Sequence, residues 1–263
     1  DIDTINIAVD GSADVTTDAD AGALDGINEA TKVVFTGGNS LSSVTLGGAN
    51  ATLTDSNGSV LDFSGYNGVI ADATWAVDDF DDGESTTDTI QVIGSAGEDT
   101  VSASYDAGND ASVAINMQAV ETFDVALADS ATELVMDMSK VTGLKQINIS
   151  DASSEKLELA KLAEGVIVDV TTTDATATEV EIKRATVTGT EEQTVYVSAA
   201  SADDNVKIIM ADVEKLIVKG ESANQVDLEL SGITMTAEAA RAAVAFIGTN
   251  DIELVSLSAK VNS

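Results

Sequence analysis

Short runs of alternating apolar and polar residues, broken by Gly, Asn, Asp or Ser, recur along 263 residues that contain no proline. This pattern constrains the fold more than any other feature. A period of two puts every second side chain on the same face of an extended strand, and runs of about six residues or fewer suit strands better than helices. Without proline, every backbone N–H can donate to a ladder. The runs are clearest at Gln146-Ile147-Asn148-Ile149, Lys156-Leu157-Glu158-Leu159, residues 166–170 and Glu179-Val180-Glu181-Ile182. Residues 194–197, 206–209, 216–218 and 226–230 continue the series. Runs recurring about every 9 to 15 residues predict an all-β chain, either a parallel β-solenoid of stacked short strands or an antiparallel β-sandwich. The solenoid is the first choice, because each rung buries a core only by stacking on its neighbours.

An internal repeat supports stacking. Val120-Glu121-Thr122-Phe123-Asp124-Val125 matches Val213-Glu214-Lys215-Leu216-Ile217-Val218. Downstream, residues 134–142 match residues 226–234 and stay in phase to within one residue. A duplicated unit explains both matches; the alternative is convergence of Val-rich strands.

The first third has a different texture. Gly37-Gly38-Asn39, Gly47-Gly48-Ala49-Asn50 and Asn57-Gly58 punctuate its strands with residues that tolerate the positive φ of tight turns. A boundary is placed near residue 88, giving a Gly/Asn-rich β segment over 1–88 and a repeat-containing β module over 89–263. One short helix is predicted near 237–247. Thr236 would cap it, Glu238 would sit in its first turn, and Gly248 would stop it. Its expected use is to close or pack on the stack. The chain starts at Asp1, as expected of a processed chain or a piece of a longer one.

Charge narrows the range of partners. With 46 acidic and 12 basic residues the formal net charge is -34. Such a chain repels itself unless cations neutralise it. It lacks the Lys and Arg clusters that bind phosphate, so nucleic acid is not an expected partner, and no apolar run is long enough for membrane insertion. A hydrophobic fraction of 44% separates it from acidic disordered chains. There is no Cys and no His, which removes disulfides, thiolate metal sites and the commonest general base. The sequence also has no G-x-S-x-G elbow or phosphate-binding loop, and only one Trp and three Tyr to line a sugar cleft. The reading is therefore of a protein that is not an enzyme.

One motif carries metal chemistry. Gly94-Ser95-Ala96-Gly97-Glu98-Asp99-Thr100-Val101 fits the calcium nonapeptide pattern G-G-x-G-x-D-x-U, with Ser95 at the second glycine. Glycines let carbonyls turn inward, and the carboxylate supplies a charged oxygen of the kind calcium prefers. Asp106-Ala107-Gly108-Asn109-Asp110 is a partial second copy. With Asp99 as the principal ligand, Glu98, Asp106 and Asp110 complete the candidate calcium set here. The cluster Asp78, Asp79, Asp81, Asp82 and Glu84 is a further candidate, with a solvated charge run as the alternative.

The motif at 94–101, the Val-Glu-x-apolar-x-Val units and the Thr/Ser/Asp/Ala-rich strands resemble bacterial S-layer and RTX-type exoproteins. The resemblance covers residues 89–263 in texture and 94–110 as a motif. It implies a secreted, calcium-binding structural protein of the cell surface that assembles with copies of itself. A repeat module of a large adhesin and a phage tail-fibre or decoration protein are the alternatives.

Overall fold

The computed structural model describes residues 4–9, 13–17, 32–37, 41–46, 60–66, 73–76, 91–106, 112–128, 133–151, 156–172, 178–186, 192–200, 204–210, 213, 215–220, 226–236, 243–248 and 252–262. In chain order the first strands are β1 (Thr4–Val9), β2 (Ala13–Thr17), β3 (Lys32–Gly37), β4 (Leu41–Leu46), β5 (Val60–Tyr66), β6 (Ala73–Ala76), β7 (Gln91–Ile93) and β8 (Thr100–Asp106). Then come β9 (Ser112–Ala114), β10 (Asn116–Gln118), β11 (Thr122–Ala128), β12 (Leu134–Asp137), β13 (Gln146–Asp151), β14 (Lys156–Leu162), β15 (Ile167–Thr172) and β16 (Thr178–Arg184). The last are β17 (Glu192–Ala199), β18 (Asp204–Met210), β19 (Lys215–Gly220), β20 (Val226–Thr236), β21 (Ala243–Gly248) and β22 (Ile252–Asn262).

Strand pairs with a defined register are parallel throughout, in both the early and the late parts of the chain. The protein is a parallel β-solenoid, and the antiparallel sandwich is excluded. Most neighbours in a sheet are alternate strands of the chain; β7 and β10, β8 and β11, and β9 and β12 are three apart. The sequence divides into two compact units. Unit 1 comprises residues 1–105, 113–125 and 140–144, and unit 2 comprises 106–112, 126–139 and 145–263. The expected boundary at residue 88 falls in 77–90, outside the described residues.

In unit 1, β1-β3-β5-β7-β10 form one wall and β2-β4-β6-β8-β11 the other. Phe35 and Phe63 are fully buried and stack with ring centroids 4.3 Å apart. In unit 2, β13-β15-β17-β19-β21 form one wall and β12-β14-β16-β18-β20-β22 the other. The alternation expected from sequence is present: in β15, Val168, Val170 and Thr172 point inward between half-exposed Ile167, Asp169 and Thr171. Inward columns are Met136-Leu159-Ile182-Met210 on one wall and Ile147-Val168-Val195-Val218 on the other. Inward polar side chains are bonded locally. Thr178 Oγ1 donates to Thr172 Oγ1 at 3.1 Å, and Gln193 Nε2 donates to Val166 O at 2.9 Å.

All eight runs read between 146 and 230 are strands, but several outgrow the expected six residues: β17 has 8 and β20 has 11. The two copies of the repeat share their inward positions. Val120, Phe123 and Val125 are buried, as are Val213, Leu216 and Val218. The predicted helix near 237–247 is corrected. Residues 243–248 form β21, paired with β19 from Lys215↔Ala243 to Gly220↔Gly248, and 237–242 lie outside the described residues. Helix propensity is a weak preference, and the six ladder positions offered by β19 outweigh it here. Among the described residues there is no helix.

Candidate functional site

In unit 1 the calcium-motif segment is a closed loop between β7 and β8. Asp99 is 1% exposed. Its Oδ2 accepts from the Ser95 amide at 2.5 Å and its Oδ1 from the Ser95 hydroxyl at 2.8 Å. The Gly97 amide donates to Ser95 Oγ at 3.0 Å. Ser95, read as an unusual substitute for glycine, is thus the partner that holds the aspartate. The backbone of Asp99 is tied to the next rung: its N–H donates to Glu121 Oε2 at 2.9 Å, and its carbonyl accepts from the amides of Glu121 and Thr122 at 3.2 and 3.0 Å. Sequence reasoning missed Glu121, which lies 22 residues from Asp99 and in no recognisable spacing with it.

The glycine at 94 has a steric cause. A Cβ there would lie 1.8 Å from Ala119 O and 2.8 Å from Asp99 Oδ2. Its amide donates to Gln118 O at 2.7 Å, and Ala119 N donates in turn to Thr142 O at 3.0 Å. Ala119 has φ 53 and Gly143 φ 91, so successive rungs turn this corner in the left-handed region.

Calcium takes six to eight oxygen ligands. As folded, each Asp99 oxygen accepts from Ser95, one from its amide and the other from its hydroxyl. Glu98 is exposed beside it. Asp106 ends β8. Asp110, Asp78, Asp79, Asp81, Asp82 and Glu84 lie outside the described residues.

Unit 2 holds its carboxylates differently. Registers Leu134↔Leu157, Lys156↔Glu179, Glu179↔Lys207 and Lys207↔Glu229 put Glu133, Lys156, Glu179, Lys207 and Glu229 in one column of alternating sign. Lys156 Nζ bridges Glu133 and Glu181, the latter at 3.0 Å. Lys183 Nζ lies 2.5 Å from Glu158 and 3.3 Å from Glu181, and Lys207 Nζ lies 2.6 Å from Glu179. Lys161 reaches Asp137 at 2.7 Å and Lys215 reaches Glu192 at 2.6 Å. Parallel in-register stacking would otherwise align like charges, which is unfavourable. Carboxylate oxygens of Glu133, Glu158 and Glu181 lie within 4.8 Å of one another, the densest acidic group among the described residues, and ammonium groups already supply its positive charge.

The titration of these groups follows. Burial pushes the Glu181 carboxyl upward, but hydrogen bonds and charge from Lys156 and Lys183 outweigh it and hold it below the ordinary glutamate range. Asp137 is lowered likewise, burial being overcome by Lys161 and Ser139, and in unit 1 so is Asp62, by Lys32 and Ser64. Hydrogen bonds that its ammonium donates to Glu133 and Glu181 push Lys156 well above an ordinary lysine.

Comparison with protein-family models, curated proteins and solved structures finds no match to this chain. Several of the described ion pairs, Lys156–Glu181, Lys183–Glu158 and Lys207–Glu179 among them, fasten one rung to the next.

Proposed function

We propose that the chain is a structural module of a bacterial surface layer or surface fibre, assembling with copies of itself outside the cell, with calcium neutralising its acidic connecting segments. The observation that carries this reading is the set of ion pairs Glu133–Lys156–Glu181, Glu158–Lys183 and Glu179–Lys207, in which charged side chains bind neighbouring rungs of unit 2. A stack built this way resists extension and offers a regular surface at each repeat, which suits a load-bearing lattice or filament. Calcium enters through charge. A net charge of -34 must be screened before copies can approach, and millimolar calcium is available at a cell surface. The acidic stretches at 78–84 and 106–110 supply carboxylates for it, whereas the Asp99 carboxylate is engaged by Ser95.

Electron microscopy of the purified chain with millimolar calcium, and again after chelation, tests the reading. Sheets or filaments that dissolve on chelation are the expected outcome. A chain that stays monomeric at high concentration in calcium overturns it.

A further inference from the structure

The two walls of unit 2 present unlike outer faces. The wall containing β14, β16 and β18 carries the Lys–Glu ladder. The wall of β13, β15, β17 and β19 is sparsely charged, and its outward residues are arranged symmetrically about β17. Thr194 pairs in register with Ile217, and Ile167, one position before the Val168↔Val195 pair, flanks it on the other side. Two residues further along, Asp169 is in register with Tyr196, and Tyr196 with Lys219. All six side chains are half-exposed. Lys219 Nζ donates to Tyr196 Oη at 3.0 Å and lies 4.7 Å from the ring centroid, so its charge is held over the middle of the face.

This arrangement is self-complementary. A two-fold axis laid along β17 exchanges the strand before it with the strand after it. Ile167 of one copy then meets Ile217 of the partner subunit, Thr194 meets its own equivalent, and Asp169 meets Lys219 of the partner subunit. A two-fold contact uses one patch twice and needs such matching about its centre. The geometry points to this wall as the face through which a second copy of the chain docks, with β17 on the axis. The inference rests on the proposed self-assembly and names the surface that performs it. On so acidic a chain, a patch of balanced charge is where two copies meet with least repulsion. Three strands about 4.8 Å apart and about six residues long give about 300 Å² per copy, under half of the roughly 800 Å² per partner of a standard stable interface. Each contact is therefore weak, and repetition across a lattice makes it effective.

Because the chain has no cysteine, Thr194→Cys introduces a single thiol on the axis, and Val135→Cys introduces one on the outer face of the opposite wall. In the full chain with calcium, a bis-maleimide of roughly 10 Å span should join Thr194→Cys thiols into dimers at least about tenfold faster than Val135→Cys thiols, since sheets packed face to face hold axial side chains about that far apart. Asp169→Lys should weaken association about tenfold in analytical ultracentrifugation, and Asp169→Lys with Lys219→Asp should restore it. Equal cross-linking rates, or no rescue by the exchange, in a preparation whose wild type assembles would overturn the docking face and leave the assembly reading standing. A wild type that stays monomeric overturns both. If Asp169→Lys fails to fold, the cysteine pair decides.

Discussion

Unit 1 and unit 2 share one architecture but neutralise their carboxylates by different means. Unit 1 has only Lys32 and Lys140 as basic residues, and the remainder of the chain's 12 are in unit 2. In unit 1, described carboxylates rest on neutral donors: Asp99 on Ser95, Glu121 on the Asp99 amide, and Asp62 on Ser64 as well as on Lys32 at 2.6 Å. In unit 2 the partner is a lysine of an adjacent rung at Lys156, Lys161, Lys183, Lys207 and Lys215. The difference teaches that a parallel stack tolerates acidic residues in two ways. Backbone and hydroxyl donors satisfy a carboxylate without cancelling its charge, whereas lysines do both. Unit 1 thus rests its described carboxylates mainly on neutral donors, whereas unit 2, itself net acidic, pairs part of its carboxylates with lysines. Added salt or calcium should slow amide exchange in 91–125 and leave 156–220 unchanged or slightly faster, because screening relieves repulsion in the first and weakens attraction in the second. Equal protection of both segments would break the contrast.

The largest expected effect of a single substitution is at the unit 1 corner. Gly94→Ala places a methyl group 1.8 Å from a backbone oxygen, which no side-chain motion relieves. Urea unfolding should show a loss of about 3 kcal/mol or more in unit 1. In unit 2, Gly165 has φ 82 but nothing within 4 Å of its added Cβ. Gly165→Ala should cost only the backbone penalty of about 1 kcal/mol. If the two are alike, close approach at Ala119 is not what requires glycine at 94.

Next comes the carboxylate itself. Asp99→Ala leaves the Ser95 amide and hydroxyl without their buried acceptor, a loss of about 2 kcal/mol. The loss should be the same with calcium or with chelator, because the partner is Ser95. A loss that appears only with calcium present would make Asp99 a ligand and overturn the geometry described here.

How much of this was legible in the sequence depends on the distance over which the signal acts. The strands from Gln146 to Leu230 could be read because period-two alternation is local and the inward residues are Val, Ile and Leu. The repeat gave the inward positions of β11 and β19 for the same reason. The strand at Ala243–Gly248 was hidden, since an alanine-rich stretch favours helix until a neighbouring ladder is available. The lysine ladder was hidden by uneven rungs. Its partners are 23 residues apart at Lys156 and Glu133, 25 at Lys183 and Glu158, and 28 at Lys207 and Glu179, so no fixed period reveals it. At Asp99 the glycine motif marked the aspartate, but the sequence could not show that Ser95 turns both of its donors onto it.

A smaller effect, of opposite sign, is expected at Ala119. This residue holds φ 53 without being glycine, at the corner where Gly143 has φ 91. Ala119→Gly relieves left-handed strain of about 1 kcal/mol and adds unfolded-state entropy that offsets part of it. The net gain in unit 1 should be about 0.5 kcal/mol in urea unfolding. A loss would mean that the Ala119 methyl contributes packing worth more than its strain.

A comparably small effect probes unit 2, where pH separates charge from packing. Lys156→Met removes the ammonium shared by Glu133 and Glu181 and keeps most of the apolar stem. Both partners are partly exposed, so the loss at neutral pH should be no more than about 0.5–1 kcal/mol. Glu181 is held below its ordinary range in the fold, so its contribution is present above the unfolded pKa and disappears as pH falls through the lower folded value, in the region below about pH 4. Without Lys156 only Lys183 faces Glu181, its pKa rises, and the acid-unfolding midpoint moves upward. Lys156, raised in the fold, stabilises below the unfolded lysine pKa and is lost only at strongly alkaline pH, so the alkaline limb of the wild type should fall more than that of the variant, which keeps the raised Lys183. The two proteins should therefore converge below the carboxylate range and above the lysine range and differ between them. An offset that is constant from pH 2 to neutrality would assign the effect to the lost side-chain packing and remove charge pairing as the distinction between the units.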